Sequence, residues 1–198
     1  GVYTYSRLPG HPSGEHEALA QEHGFAPGSS TGTCPGSSVE CESICYAKRV
    51  IGSPVWEVWQ ENSLTEQLPG HEDPLPEDAK IVRIHVSGDF TSIDYIEQWI
   101  KLAKVRPEVW FFGYTRSWRL ANFVPTLDRL RALPNVQLFA SMDRSIVKLP
   151  PAGWRRAWIE NDPRSNVLHD EGDVCWAENA RELPNLYVRA YVCPEETG

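Results

Sequence analysis

From Lys80 onward the chain alternates between two hydrophobic rhythms. Runs with a two-residue beat lie at 81–87, 109–115, 136–141 and 186–193, with a weaker one at 166–169. Between them the apolar positions fall at helical spacing: Ile93, Ile96, Trp99, Ile100 and Ala103, then Leu120, Phe123, Leu127, Leu130 and Leu133. A period of two marks a strand, and a recurrence three or four residues on marks a helix. Strand, helix, strand repeated roughly every 30 residues is the unit of a parallel sheet with right-handed crossovers. The fold class predicted is α/β.

The beat also divides each strand into two faces. Val82, Ile84 and Val86 oppose Arg83, His85 and Ser87. Val136, Leu138 and Ala140 oppose Gln137, Phe139 and Ser141; Val188, Ala190 and Val192 oppose Tyr187, Arg189, Tyr191 and Cys193. A parallel sheet covered by helices on both sides reads as continuously apolar. Here one face is aliphatic, while the other is polar and aromatic, as on the inside of a barrel that holds a site. A complete eight-stranded barrel takes about 250 residues, and this chain has 198. The expectation is a partial, open β/α barrel of parallel strands, TIM-barrel-like. A flat sheet with a solvated polar face is the alternative.

Residues 1–79 lack this regularity. Residues 1–36 are rich in Gly, Pro, Ser and His and read as an irregular arm, with a short helix over 15–22. A helix is predicted to begin beside Cys41, with Ser43 as its candidate cap, and to run to Val50. Gly52-Ser53-Pro54 closes it and opens another through Trp56 and Trp59 toward Leu64. Residues 68–76 form a loop by composition. The whole, 1–198, is expected to be a single domain: a cysteine-bearing arm and helices over 1–79, then β/α repeats over 80–198.

The arm carries the candidate chemistry. Cys34, Cys41 and Cys45 are spaced C-x6-C-x3-C. Three soft thiolates on one short segment suit an iron–sulfur cluster or a zinc ion, leaving one ligand to be found elsewhere. In parallel β/α proteins the site lies at the carboxyl ends of the strands. Those ends carry Ser87-Gly88-Asp89, Tyr114-Thr115-Arg116-Ser117, Ser141-Met142-Asp143-Arg144 and Cys193-Pro194. Cys193 has the parity of Arg189 and Tyr191, so it is expected on the inner face as the fourth ligand. Ligating thiolates are deprotonated and need positive compensation, for which Arg116 and Arg144 are candidates; surface ion pairing is their plainer role. Ser87 and Asp89 complete the set of candidate cofactor contacts.

Several alternatives stand beside this set. Cys175, next to Trp176 at a predicted helix start, is either a small core residue or the fourth ligand. Cys34 and Cys41 could form a disulfide, although five cysteines fit a disulfide framework poorly. Structural zinc favours paired C-x2–4-C knuckles, and only the C-x3-C half matches, so a [4Fe–4S] cluster is preferred to Zn. His85 is read as an inner-face residue, satisfied in the core or turned to a ligand. Trp56/Trp59 and Trp154/Trp158 have helical spacing and read as packing residues.

Composition narrows the classes further. A net charge of −8 and a pI near 5.3 argue against nonspecific nucleic-acid binding, which needs clustered Lys and Arg. No apolar run reaches the roughly 18–20 residues of a membrane span, and residues 1–7 lack a signal-peptide core. The expectation is a soluble intracellular protein. P-loop, GxSxG and HExxH signatures are missing from the sequence.

The ordered set Thr33-Cys34-Pro35-Gly36, Cys41, Cys45-Tyr46-Ala47, Ile84-His85-Val86-Ser87-Gly88-Asp89-Phe90, Tyr114-Thr115-Arg116-Ser117 and Val192-Cys193-Pro194 resembles the bacteriophage gene product eighty-eight family. The resemblance spans nearly the whole chain. It implies a phage-encoded protein in the cytoplasm of a bacterial host, carrying a cysteine pattern suggestive of an iron–sulfur centre; the family name describes no activity. There is a fainter similarity to radical S-adenosylmethionine enzymes, with Ser87-Gly88-Asp89 in the place of a Gly-rich acidic motif.

Three functions follow. The first is a viral [4Fe–4S] protein bound by Cys34, Cys41, Cys45 and Cys193, with a redox, sensing or structural role and a redox partner or host protein not identified by the sequence. The second is a radical S-adenosylmethionine-like enzyme with a three-cysteine cluster. The third is a zinc-stabilised module that binds a host protein. The sequence leaves open whether the chain is an enzyme.

Overall fold

A computed structural model of the chain describes residues 1–10, 32–64, 67–68, 75–143, 145–159, 174–176 and 191–193, with Lys48, Ile159 and the last two segments described by backbone alone. Among the described residues, seven strands make one all-parallel sheet whose spatial order follows the sequence. They are β1 (Val2–Tyr5), β2 (Ile81–Ile84), β3 (Trp110–Thr115), β4 (Val136–Met142), β5 (Arg155–Ile159), β6 (Val174–Trp176) and β7 (Tyr191–Cys193). The helices are α1 (Val39–Ser43), α2 (Pro54–Ser63), α3 (Ile93–Val105) and α4 (Val124–Arg131). The chain is α/β, as its two rhythms predict.

The aliphatic face of the sheet carries the core. Ser92 caps α3 by accepting a hydrogen bond from the Tyr95 amide at 3.1 Å. The helix then buries Tyr95, Ile96, Trp99, Ile100 and Ala103, a stripe at three- and four-residue spacing. α4, with Pro125 in its first turn, buries Leu127 and Leu130. Both helices pack on Val82, Ile84, Phe111, Leu138 and Ala140. Trp99 is in edge contact with Tyr5, Tyr95 and Phe111. Fully burying one such side chain stabilises the fold by roughly 1.5–3 kcal/mol.

The opposite face is built differently. Tyr114 stacks on Phe139 with ring centroids 5.2 Å apart. The Arg83 guanidinium lies 5.6 Å from the Tyr114 centroid, and that of Arg155 lies 4.6 Å from the Phe139 centroid. Cation, ring, ring and cation thus run across β2 to β5. Trp110, on this face, is 62% exposed. The division read from parity is therefore present in β2 to β4.

Several local expectations are corrected. The arm is not irregular at its start: β1 pairs in parallel with β2, Val2 opposite Ile81 and Tyr5 opposite Ile84. Its four residues hold only two beats, too few to stand out as a pattern. Ser38, not Ser43, caps the helix at Cys41, accepting from the Cys41 amide at 3.1 Å. That helix stops at Ser43, and a separate 3-10 turn covers Tyr46–Val50. β2 ends at Ile84 rather than at Ser87, because His85 takes a positive φ of 59°. Trp154 precedes β5 (Arg155–Ile159) and Trp158 lies within it, so neither is on a helix, yet both are core residues as expected. Cys175 lies in a strand, β6, and not at a helix start. The helix read at 15–22, the strand at 166–169 and the first part of the run at 186–193 fall outside the described residues.

Candidate functional site

The cysteine segment docks on the carboxyl ends of β1, β2 and β3 through its own backbone. The Thr33 amide donates to Leu8 O at 3.2 Å, the Cys34 amide to Gly10 O at 2.9 Å, and the Asp89 amide to Thr33 O at 3.0 Å. Two glycines make this approach possible. A Cβ on Gly36 would run into the carbonyl of Arg116, so only glycine lets the segment lie flat on the end of β3. Gly88 has φ 84°, and a Cβ there would meet Thr33 Oγ1 at 2.5 Å and Arg7 Cβ at 2.8 Å. Arg119 clamps the segment from above, donating to Gly36 O at 2.7 Å and Ser37 O at 2.8 Å.

None of Cys34, Cys41 and Cys45 is in a disulfide, so the candidate Cys34–Cys41 pair is not formed. Cys41 and Cys45 line one cavity. Burial pushes the Cys34 thiol well up, and the charges of Asp89, Cys41 and Cys45 push the same way. Burial raises Cys41 as well, with Cys45, Asp143 and Asp89 adding to it, while the Arg116 guanidinium pulls it down. Among the described residues, no group of three or more His, Cys, Asp or Glu side chains is gathered to hold one metal ion.

The other strand-end motifs join one another. Asp89 is buried and accepts from Thr115 Oγ1 at 2.6 Å, the Arg116 amide at 2.7 Å, the Phe90 amide at 2.8 Å and the Ser117 amide at 3.2 Å. Burial still carries its carboxyl above the ordinary range, against those hydrogen bonds. Arg116 is buried and ion-paired with Asp143, and it donates to Ser38 Oγ at 3.2 Å. Ser38 in turn donates to Asp143 Oδ2 at 2.6 Å. Burial pushes Asp143 up too, but Arg116 and the bonds from Ser145 and Ser38 outweigh it and leave the carboxyl below its usual range. The residue capping the Cys41 helix is therefore tied to β3 and β4 by a buried ion pair that parity and spacing did not reveal.

Ser87 is buried, with no hydrogen-bond partner for its hydroxyl among the described residues. His85 did not stay on the inner face. Its positive φ turns the ring into the outer core, where Nε2 meets Tyr95 Oη at 2.8 Å and the ring contacts Phe90 and Trp99. Burial, with a contribution from Arg7, drops its pKa to about 3, so the imidazole is neutral. Arg144 lies outside the described residues. So do the side chains of Cys175 and Cys193, but the backbone register places the latter. Met142 pairs with Trp158, while Ile159 pairs with Trp176 and Trp176 with Cys193. Cys193 is one residue level beyond Met142, the level of Asp143. β7 is three strand steps from β4, each roughly 4.8 Å along a flat sheet.

A cavity of about 220 Å3 opens between the cysteine segment and the inner face, with Cys41 and Cys45 on one wall and Arg83, Tyr114 and Ser141 on the other. Among the described residues, no helix is long and apolar enough to cross a membrane.

Comparison with known proteins gives a consistent answer. The family described as Gene product 88 matches residues 10–166. The Gene 88 protein of Mycobacterium phage L5 is 26% identical over 181 residues, covering 82% of this chain and 69% of the relative. The Gene 88 protein of Mycobacterium phage D29 is 25% identical over 129 residues, covering 56% of this chain and 52% of the relative. No solved structure matches the chain.

Proposed function

Because the chain belongs to the Gene product 88 family, we propose that it is a phage iron–sulfur protein, holding a [4Fe–4S] cluster on Cys34, Cys41, Cys45 and Cys193 in the cytoplasm of the infected bacterium. Its role is redox, sensing or structural, with a host protein or redox partner. The observation that carries this reading is the docking of the cysteine segment on the carboxyl ends of a parallel sheet, where Cys41 and Cys45 line one cavity with Arg116. Deprotonating thiols whose pKa burial has raised is unfavourable alone, and a bound cationic centre supplies the compensation. When bound, the cluster supplies one-electron chemistry or a cross-link between arm and sheet.

The same reading takes the sheet as an open, TIM-barrel-like barrel. The sequential strand order supports it, as does the helix-covered core on the aliphatic face of the described strands. Curvature is also what the fourth ligand needs. Cys193 is at the level of Asp143 but three strands away, so the sheet must curl to bring β7 back toward the cysteine segment.

Anaerobic purification with iron, sulfide and zinc quantified tests the proposal. The expected result is about four irons and four sulfides per chain, lost in Cys41→Ala and Cys193→Ala but kept in Cys175→Ala. Zinc without iron would overturn the cluster in favour of a zinc module. An iron–sulfur spectrum that survives Cys193→Ala and shifts with S-adenosylmethionine would move the reading to a three-thiolate enzyme.

A further inference from the structure

Among the described residues lining the cavity beside the cysteine segment, Ile44 and Tyr46 are the exposed ones, at 50% and 43%. They flank Cys45 in the chain and stand at the cavity's mouth, whereas His85 and Arg116 on the sheet side are buried. The Tyr46 hydroxyl donates to the carbonyl of Val86, which follows β2 and lines the sheet wall. The phenol therefore reaches across the mouth from the segment to the sheet.

This tie is of a different kind from those that hold the start of the segment. Residues 33–38 are fixed by backbone hydrogen bonds, by the close approach of Gly36 to the Arg116 carbonyl, and by the bond from Ser38 to the buried Asp143. The Tyr46 bond is made at the surface by a half-exposed ring. Such a hydroxyl exchanges its protein partner for water at small net cost, and exposed side chains change rotamer within nanoseconds. The ring can swing while the segment stays docked.

We propose that Tyr46 is a gate on this cavity. Bonded to Val86 it narrows the mouth to small solutes; swung outward it admits larger molecules to Cys41 and Cys45. Cys34 does not line the cavity, so the gate governs two of the three cysteines. This gating rests on the iron–sulfur reading for what the two thiols do, while the steric control applies equally to the free thiols.

Alkylation of the full chain, purified without metal and reduced, tests it, with iodoacetamide as the small probe and fluorescein maleimide as the large one. Mass spectrometry reads the rate at each cysteine. A conformer held off by one weak bond is populated at roughly 10%, and reaction through it scales with that fraction. Tyr46→Ala is therefore expected to speed the large probe about tenfold at Cys41 and Cys45, and the small probe no more than about twofold. Neither probe is expected to react faster at Cys34. Tyr46→Phe keeps the ring but loses its bond, so an intermediate rise with the large probe is expected. An unchanged large-probe rate in Tyr46→Ala overturns the gate. So does a rise shared equally by both probes or by Cys34, which would mean that the segment has lifted as a whole. If Tyr46→Ala does not fold, an unchanged large-probe rate in Tyr46→Phe overturns it instead. Iron and sulfide measured on anaerobic preparations of the same variants keep the two readings apart. Alkylation that follows Tyr46 in a chain that never loads iron sinks the cluster alone. Alkylation indifferent to Tyr46 in a chain that does load iron sinks the gate alone.

Discussion

The two faces of the sheet use the same residue type to opposite ends. On the outer face Trp99 and Trp158 are sealed between strands and helices, at 1% and 0% exposure. On the inner face Trp110 stands 62% exposed, and Arg83 and Arg155 lie over the rings of Tyr114 and Phe139. One side of each strand supplies cohesion; the other is left available beside the cysteine segment. The difference teaches that packing and exposure are separated here by strand parity, one residue apart along the chain. Changes that respect or cross that division should therefore differ sharply in size.

The largest effect is expected on the outer face. Trp99→Ala removes a ring in contact with Tyr5, Tyr95, Phe111 and His85, and truncating a buried aromatic costs about 3–5 kcal/mol. Chemical denaturation of the variant would measure it. A comparable loss from Phe112→Ala, on the half-buried inner face, would erase the distinction.

Nearly as large is the expected effect at the junction of the cysteine segment with β3 and β4. Arg116→Met leaves Asp143 buried without its cation, a loss of about 3–5 kcal/mol. The pH dependence of this pair has a definite sign. The Asp143 carboxyl is held below its ordinary range when folded, so its contribution is full above the unfolded value of about 3.9. It is lost as pH falls from there through the depressed folded value. Thermal midpoints measured from neutral pH downward should show a shallower acid fall in Asp143→Asn than in the parent. Equal slopes would mean the pair is not closed in solution. Asp89 contributes in the opposite sense, because its folded value is raised: its contribution diminishes as pH rises through that value.

Next in size is Gly36→Ala. The added methyl meets the Arg116 carbonyl, and backbone that must shift to admit a methylene-sized group costs roughly 1–3 kcal/mol. The segment must lift from the end of β3, so reactivity of Cys34 and Cys41 toward iodoacetamide should rise together in the metal-free variant. An unchanged alkylation rate would show that the segment is docked by other contacts.

How far these features were legible differs with their physical cause. The β2 to β4 repeats and α3 could be read because period and burial agree along many consecutive residues. β5 could not, because Trp154 and Trp158 are four apart, a spacing shared by one helical turn and two strand beats; the intervening Arg155 and Arg156 hide the alternation. His85 escaped its assigned face because one residue with positive φ reverses parity, and no neighbouring residue type announces that turn. The site shows the same contrast. Spacing put Cys34, Cys41 and Cys45 on one short segment, and that segment docks at the carboxyl ends of β1 to β3. The Ser38–Asp143–Arg116 junction joins residues up to 105 positions apart and has no local signature. Gly36 and Gly88 carried a signal in retrospect, since each stands beside a motif residue where a side chain would block docking.

The smallest expected effect bears most directly on the barrel. Trp110→Thr replaces a 62% exposed ring on the inner face with a β-branched residue suited to a strand. If that face is open to solvent at β3, the change in stability should stay within about 0.5 kcal/mol. A loss of several times that size would mean that something covers Trp110 in solution, as a sheet curling over its inner face would do at the cost of the ring's exposure. Repeating the measurement on anaerobically prepared protein separates the two causes of such cover. Cover that appears only with iron bound would tie the closing of the sheet to Cys193. Cover present without iron would make curvature a property of the strands themselves, with the cysteines arriving at a mouth already formed.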